Sequence, residues 1–254
     1  MKELLNIALL IFVNRDYIES AVSSHTVRPC GAPGLRSWGF FMLPIRVAAF
    51  IDGFNLYHAI CDLRANHLKW LDLRKLCKVF APSPSFDLIQ VNYFSAYATW
   101  KPDPYRRHRE YIKALEADYV NVVLGKFKEK SKRCFSCGAT WMDHEEKETD
   151  VNIALSLLDG AYRDSYDRAV IISADSDLAP AVRLVKTLFP RKSIRILTPV
   201  GRYHSLDLMN AAGGKGNATF ITRMHVERSL LPEKVYTSDG TIVAIRPIEY
   251  LPPP

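Results

Sequence analysis

The sequence predicts an α/β fold: a mostly parallel central sheet with helices on both faces and a small cysteine-containing insert. Three observations predict it. From Arg46 to Thr198, short apolar runs alternate with stretches of helical spacing, the pattern of strand–helix–strand units. Two of those runs lead into carboxylates, Asp52 and Asp175. The chain has 254 residues, 48% of them apolar, enough for one sizeable domain with decorations.

The elements follow in order. Val47 to Ile51 is a continuous apolar run and reads as a buried strand, ending in Asp52-Gly53 before a helix over Leu56 to Ala65. Leu73 to Phe80 reads as a second helix, which Pro82 and Pro84 terminate. Leu88 to Tyr97 is rich in β-formers and reads as a strand, Tyr105 to Ala117 as a helix and Tyr119 to Leu124 as a third strand. A polar, basic stretch with two cysteines follows. Thr149 to Tyr162 is a strong helix whose buried face is expected to be Val151, Ala154, Leu155, Leu158 and Tyr162. Arg168 to Ser173 is a strand, Leu178 to Phe189 a helix and Ser193 to Thr198 a strand. Gly213 to Asn217 is a flexible loop. It is not a nucleotide-binding Gly-rich loop, because Gly216 follows Lys215 where Ser or Thr belongs. The chain closes on a predicted hairpin turning at Asp239-Gly240.

Formal net charge is +7, which favours anionic partners only weakly. Five cysteines, mostly at unrelated spacings, suggest a reducing, cytoplasmic setting without structural disulfides. Leu4 to Val13 is too short to span a bilayer, and Glu3 with Asn14-Arg15-Asp16 argues against an export signal, so no membrane partner is expected. Residues 1–43 read as an extension, and a chain begun at Met42 is expected to keep its melting midpoint. Residues 44–200 read as the main domain, with an insert at about 126–147, and 201–254 as a C-terminal elaboration.

In a parallel sheet, ligands bind beyond the carboxyl ends of the strands. Asp52, Asp175 and Asp177 leave two strands on that rim, and Asp150 opens a helix that can reach it. Clustered carboxylates repel one another, and Mg²⁺ or Mn²⁺ is the usual compensation. Each acid has a plainer reading: Asp150 as a helix-dipole partner, Asp52 with Asn55 as a turn and cap, Asp175 or Asp177 as a cap.

Taken together, "FIDGFN", "HEEKETDVNIAL" and "VIISADSDLAPAVRLVK" resemble the NYN domain, a PIN-like nuclease fold, over about Arg46 to Pro199. A weaker echo lies at "RSLLP". Ala174 stands where that family often has glycine. The resemblance implies a ribonuclease in which Asp52, Asp150 and Asp175 hold Mg²⁺ or Mn²⁺ and metal-activated water attacks RNA. Asp177 would be a further ligand or a water-orienting acid, and Asn55 and Ser173 would support the others. A non-cleaving RNA- or protein-binding module of the same fold is the main alternative. A phosphatase using the same acids is another.

Cys134 and Cys137, with His144 seven residues later, suit a structural zinc site lacking one ligand, two plain thiols, or a redox pair. "KFKEKSKR" supplies Lys126, Lys128, Lys130, Lys132 and Arg133 as cations for an RNA backbone. Arg183, Lys186, Arg191, Lys192, Arg195 and Arg202 form a second acid-free basic stretch. Solvated surface is the plainer reading of both. Whether the chain forms a homo-oligomer is open.

Overall fold

The structure, a computed structural model, describes residues 43–253. The expected N-terminal extension, and its expected dispensability, lie outside them except for Leu43. Six strands form one parallel sheet: β1 (Ile45–Asp52), β2 (Phe86–Ser95), β3 (Asn121–Leu124), β6 (Arg168–Ile172), β7 (Ser193–Thr198) and β8 (Ala218–Phe220). Their order is β3-β2-β1-β6-β7-β8. The chain winds outward from β1 in one direction, returns, and winds outward in the other. The direction switches between β1 and β6, where the loops at the carboxyl ends part to leave a crevice.

Burial on both faces explains the unbroken apolar run of β1. Val47, Ala49 and Ile51 enter one core with α1 (Gly53–Asp62), α2 (Leu73–Phe80) and α3 (Pro102–Ala117). Ala48 and Phe50 enter the other, with α4 (Thr149–Tyr162), α5 (Ala179–Leu188) and α6 (Leu206–Ala211). The expected layers are therefore present. The expected face of α4 is not. Ile153, Leu157 and Ala161 are buried, while Val151, Leu155 and Tyr162 are 59%, 60% and 81% exposed. The helix is apolar around much of its circumference, so periodicity admits two stripes and packing on the sheet selects one.

The sheet takes its last strand, β8, from beyond residue 200, where the main domain was expected to end. The rest of the tail, α7 (Arg223–Glu227) and the antiparallel pair β9 (Lys234–Tyr236) and β10 (Ile242–Ile245), returns to the body. The pair turns through Asp239-Gly240 as expected, with Gly240 at φ 85°. The polar stretch before α4 is a hairpin, β4 (Lys126–Arg133) against β5 (Thr140–Lys147). Its strands are mostly exposed and carry no apolar alternation, so period-2 reasoning passes over them. Cross-strand ion pairs such as Lys130–Glu145 (3.4 Å) accompany the backbone ladder. Among the described residues no helix is long and apolar enough to cross a membrane.

Asp118 caps the carboxyl end of α3, the wrong end of a helix dipole for an anion. Its Oδ2 is buried without a hydrogen-bond partner. Burial, reinforced by the charge of Asp72, pushes its carboxyl up to about 6. An unfolded aspartate titrates near 4. Between those values the folded chain keeps a proton that the unfolded chain has lost, so stability falls as pH rises through the window. Asp118→Asn should raise the melting midpoint at pH 7 by the equivalent of about 1 kcal/mol, discounted for partial exposure. The gain should vanish at pH 4. Thermal melts at the two pH values check it, and an equal shift at both would remove the charge explanation.

Candidate active site

Asp52 is the last residue of β1 and the N-cap of α1. Its Oδ1 accepts the Asn55 backbone N–H (2.9 Å), and its Oδ2 accepts the Ser173 hydroxyl (3.0 Å) from the end of β6. Ser173 Oγ in turn accepts the Asp175 N–H (3.0 Å), and Asn55 Oδ1 accepts the Ala174 N–H (3.2 Å). Two of these four bonds, Ser173 to Asp52 and Ala174 to Asn55, tie the ends of β1 and β6 together at the switch in winding, and the other two hold each end locally. Gly53 makes the arrangement possible. A Cβ there would stand 2.5 Å from the Phe94 carbonyl oxygen and 2.7 Å from the Tyr93 ring, so α1 can start against β2 only without a side chain.

Asp175 caps the short 3₁₀ turn Ser176–Leu178, its Oδ1 accepting the Asp177 N–H (2.9 Å). Asp150 lies in the first turn of α4. The preceding Glu146 accepts the Thr149 N–H (3.0 Å), which helps set the start of the helix. Asp52, Asp150 and Asp175 line one cleft of about 390 Å³, together with Asn55, Glu146 and Arg202. Ser173 is buried behind it as a support for Asp52. Asp177 stands outside the lining on an exposed turn.

The acids feel one another. Burial raises the Asp52 carboxyl, the Asn55 N–H and Ser173 hydroxyl oppose that, and the charge of Asp175 adds to it. Asp150 is pushed up to about 6, first by burial and then by the charges of Asp52, Asp175, Glu146 and Asp177. A divalent cation would relieve this repulsion. Among the described residues no three carboxylate, thiolate or imidazole groups stand close enough together to hold a metal ion as they are placed.

Two cleft residues escaped sequence reasoning. His58 sits three residues beyond Asn55, on the same face of α1, and that spacing was the available signal. Glu146 lay inside the quoted motif. Arg202, expected only as one member of the second basic stretch, reaches the cleft from beyond β7 and pairs with Asp62 (2.7 Å).

Tertiary pairing engages much of the expected basic surfaces. From Lys126 to Glu148 the hairpin region has six lysines and arginines and five acids. Lys126 pairs with Glu148, Lys130 with Glu145, and Lys132 with Asp143. Lys128 and Arg133 have no carboxylate partner among the described residues. In the second stretch, Arg191 and Lys192 precede β7, at the sheet edge opposite the acids. Lys192 is buried, donating to Asp164 (2.7 Å) and the Tyr166 carbonyl (2.6 Å). Arg195 donates to Thr219 (2.6 Å). Arg183 is exposed on α5. Of the whole stretch, Arg202 alone is a lining residue of the acid cleft.

The structure does not bring the three residues of the expected zinc site together. Cys134 and Cys137 flank the turn of the hairpin, with Gly138 at φ 73°. The amide N–H groups of Cys137 and Ser136 approach the Cys134 sulfur and hold its thiol below the ordinary value. His144 does not join them. It pairs in register with Glu129, five residues before Cys134, so the strand separates it by roughly 16 Å at about 3.3 Å per residue. Its ring stacks on Trp100 (centroids 3.6 Å apart, planes 8° apart). Phe127 packs edge-on to the same indole (4.7 Å), and these contacts dock the hairpin on the body. Between hairpin and body lies a cavity of about 740 Å³.

A profile of the NYN domain matches residues 46–212. The 6-hydroxy-3-succinoylpyridine 3-monooxygenase of Pseudomonas putida (strain DSM 28022 / S16) is 28% identical over 178 residues, 56% of each chain. The present chain thus spans little more than half the length of that relative. A crystal structure of a protein of unknown function from Vibrio parahaemolyticus aligns over 74% of this chain and 97% of its own, at 20% identity and a TM-score of 0.48.

Proposed function

This chain belongs to the NYN domain family, whose fold is nuclease-like, and from that premise we propose that it is a ribonuclease requiring Mg²⁺ or Mn²⁺ and hydrolysing RNA phosphodiester bonds at the acid cleft. One observation carries the reading: Asp52, Asp150 and Asp175 reach one cleft from two strand ends and a helix start, and raise one another's affinity for positive charge. These three would hold the ion, one or two of them directly and the rest through its bound waters. Bound there, a divalent cation would activate water and neutralise charge on the phosphate.

The chain's own groups have definite tasks. Asn55 and Ser173 lock the Asp52 carboxylate in one orientation, so it does not reorganise when substrate arrives. Asp177, on its exposed turn, orients water or substrate from outside the lining. Arg202 offers a cation to a phosphate at the edge of the cleft. Lys128, Arg133 and Arg183 are the remaining proposed backbone contacts, fewer than the basic runs suggested, so the salt dependence of RNA binding should be shallow. Incubating mixed RNA with Mg²⁺, Mn²⁺ or EDTA is the test, and cleavage untouched by EDTA would sink the reading.

The cavity beside the cleft favours a second reading, in which a small heteroaromatic acid of the kind named for the Pseudomonas putida relative enters it. Turnover of such an acid by a protein that leaves RNA intact would select that reading.

At the hairpin tip, Cys134 and Cys137 are proposed as two ligands of a structural zinc, the others coming from outside this hairpin. The support is the C-x-x-C turn with amide N–H groups directed at sulfur, an environment that stabilises thiolate. Protein purified without chelator should carry one zinc per chain, or one per two chains if ligands are shared. Cys134→Ser with Cys137→Ser should remove it, and His144→Ala should not. Zinc-free protein of full stability would leave the pair as plain thiols.

A further inference from the structure

The cavity and the acid cleft are neighbours: Phe54, His58 and Glu146 line both. The cavity opens between α1, the start of α3 and the docked hairpin, and its volume of about 740 Å³ falls in the range that encloses a small organic ligand. Aromatic side chains form a continuous part of its walls. Phe54, Phe127 and Trp100 form one continuous edge-to-face run, with centroids 5.6 and 4.7 Å apart, from the shared wall into the cavity. Tyr57, Tyr93 and Tyr111 are also in the lining.

The lining also carries charge, from Lys69, Lys101, Arg107, Asp143 and Glu146, and its uncharged polar groups include His108 and Ser95. His108 is kept neutral by burial, its imidazole pushed down to about 4. A neutral imidazole offers one donor and one acceptor. Its Nε2 is 3.5 Å from Ser95 Oγ, a contact at the limit of a hydrogen bond, so the imidazole retains capacity for a ligand with the buried Ser95 hydroxyl behind it. Lys101 lies on the lining and is exposed. A fatty acyl chain would fill the apolar volume but bury His108 and Ser95 without partners, which is costly. A flat nitrogen heterocycle bearing an anion would satisfy aromatic walls, imidazole, hydroxyl and cation together.

We propose that this cavity receives the base of the nucleotide next to the cleaved linkage, so that the protein acts on single-stranded RNA with a base turned out of the stack. The base stacks on the aromatic walls, its polar edge meets His108 and Ser95, and the adjoining phosphate passes the wall formed by Phe54 and His58 into the acid cleft. Base–aromatic stacking tolerates any base, whereas the pair His108 and Ser95 supplies a preference among them. Duplex RNA, whose bases are stacked and paired, is excluded by this geometry.

The proposal rests on the ribonuclease reading, and two measurements keep their failures apart. The first uses binding alone, in EDTA, with the full chain and the four nucleoside 5′-monophosphates as probes. At least one should bind with millimolar or better affinity, and His108→Phe should weaken it about tenfold or more. Absence of binding by all four would overturn the proposal, as would tighter binding of nicotinate than of any nucleotide. The second uses the unaltered protein with Mg²⁺ or Mn²⁺ and an RNA oligonucleotide in which one abasic nucleotide is moved along the chain, so it does not depend on a variant folding. Cleavage beside the abasic position should fall about tenfold or more while distant linkages are cut normally. Uniform cutting would overturn the base pocket and leave the ribonuclease standing. Nucleotide binding with no cleavage of any RNA would overturn the ribonuclease and, with it, the placement of the base beside a scissile linkage.

Discussion

Asp52→Asn and Asp175→Asn should each lower RNA cleavage by at least about 100-fold, the scale seen when one key electrostatic group is removed from an active site. Asn preserves the volume of the side chain and can still accept hydrogen bonds through its amide oxygen. The caps these residues provide, to Asn55 N–H and to Asp177 N–H, should therefore survive. What is lost is a full negative charge at the cleft. Asp150→Asn should act similarly, because its carboxyl lies in the field of the other acids. Asp177→Asn should be milder, since Asp177 stands outside the lining. The double variant should be scarcely worse than either single one, because the acids work as a unit. RNA affinity measured in EDTA should change little. Cleavage rates for the four single variants and one double variant check all of this. Wild-type cleavage by both Asp52→Asn and Asp175→Asn would refute the assignment.

Trp70→Ala should destabilise the protein by about 3–5 kcal/mol, the range for deleting a buried large aromatic. Trp70 has no exposed surface. It packs with Ala114 of α3 and with Leu231, Val235, Ala244 and Tyr250 of the tail. Its indole N–H donates to the Pro232 carbonyl (2.7 Å), and its own carbonyl accepts the Leu231 N–H (3.0 Å). The side chain therefore bolts residues 230–250 to α3. Losing it should open a cavity and leave the Pro232 carbonyl short of a donor. Against a typical total of roughly 5–15 kcal/mol, a loss on this scale should be visible as partial unfolding near 37 °C. Chemical denaturation of the variant measures it. A change under about 1 kcal/mol would mean that the tail is energetically separate from the body.

The sequence by itself determined the layered α/β order and the place of the acids. Both rest on local signals: an apolar run such as Val47 to Ile51 has few options but a strand buried on both faces, and a carboxylate after such a run lies at the strand's carboxyl end whatever the rest of the chain does. Even the cap of α1 by Asp52 is a three-residue affair with Asn55. Tertiary structure alone decided the rest. Which stripe of α4 is buried depended on β1 and α5, because both stripes have helical period. The net charge near the hairpin depended on β5 lying beside β4, which sets Glu145 and Asp143 against Lys130 and Lys132. His144 was separated from Cys134 by strand register, a relation that spacing along the chain does not contain. The place of Arg202 beside the acids and the enclosure of the cavity could not be read locally, because their members come from segments far apart in sequence. Local periodicity and capping act over a few residues and leave their mark in the sequence. Pairing, charge cancellation and enclosure act between segments, and their outcome exists only once the chain has closed on itself.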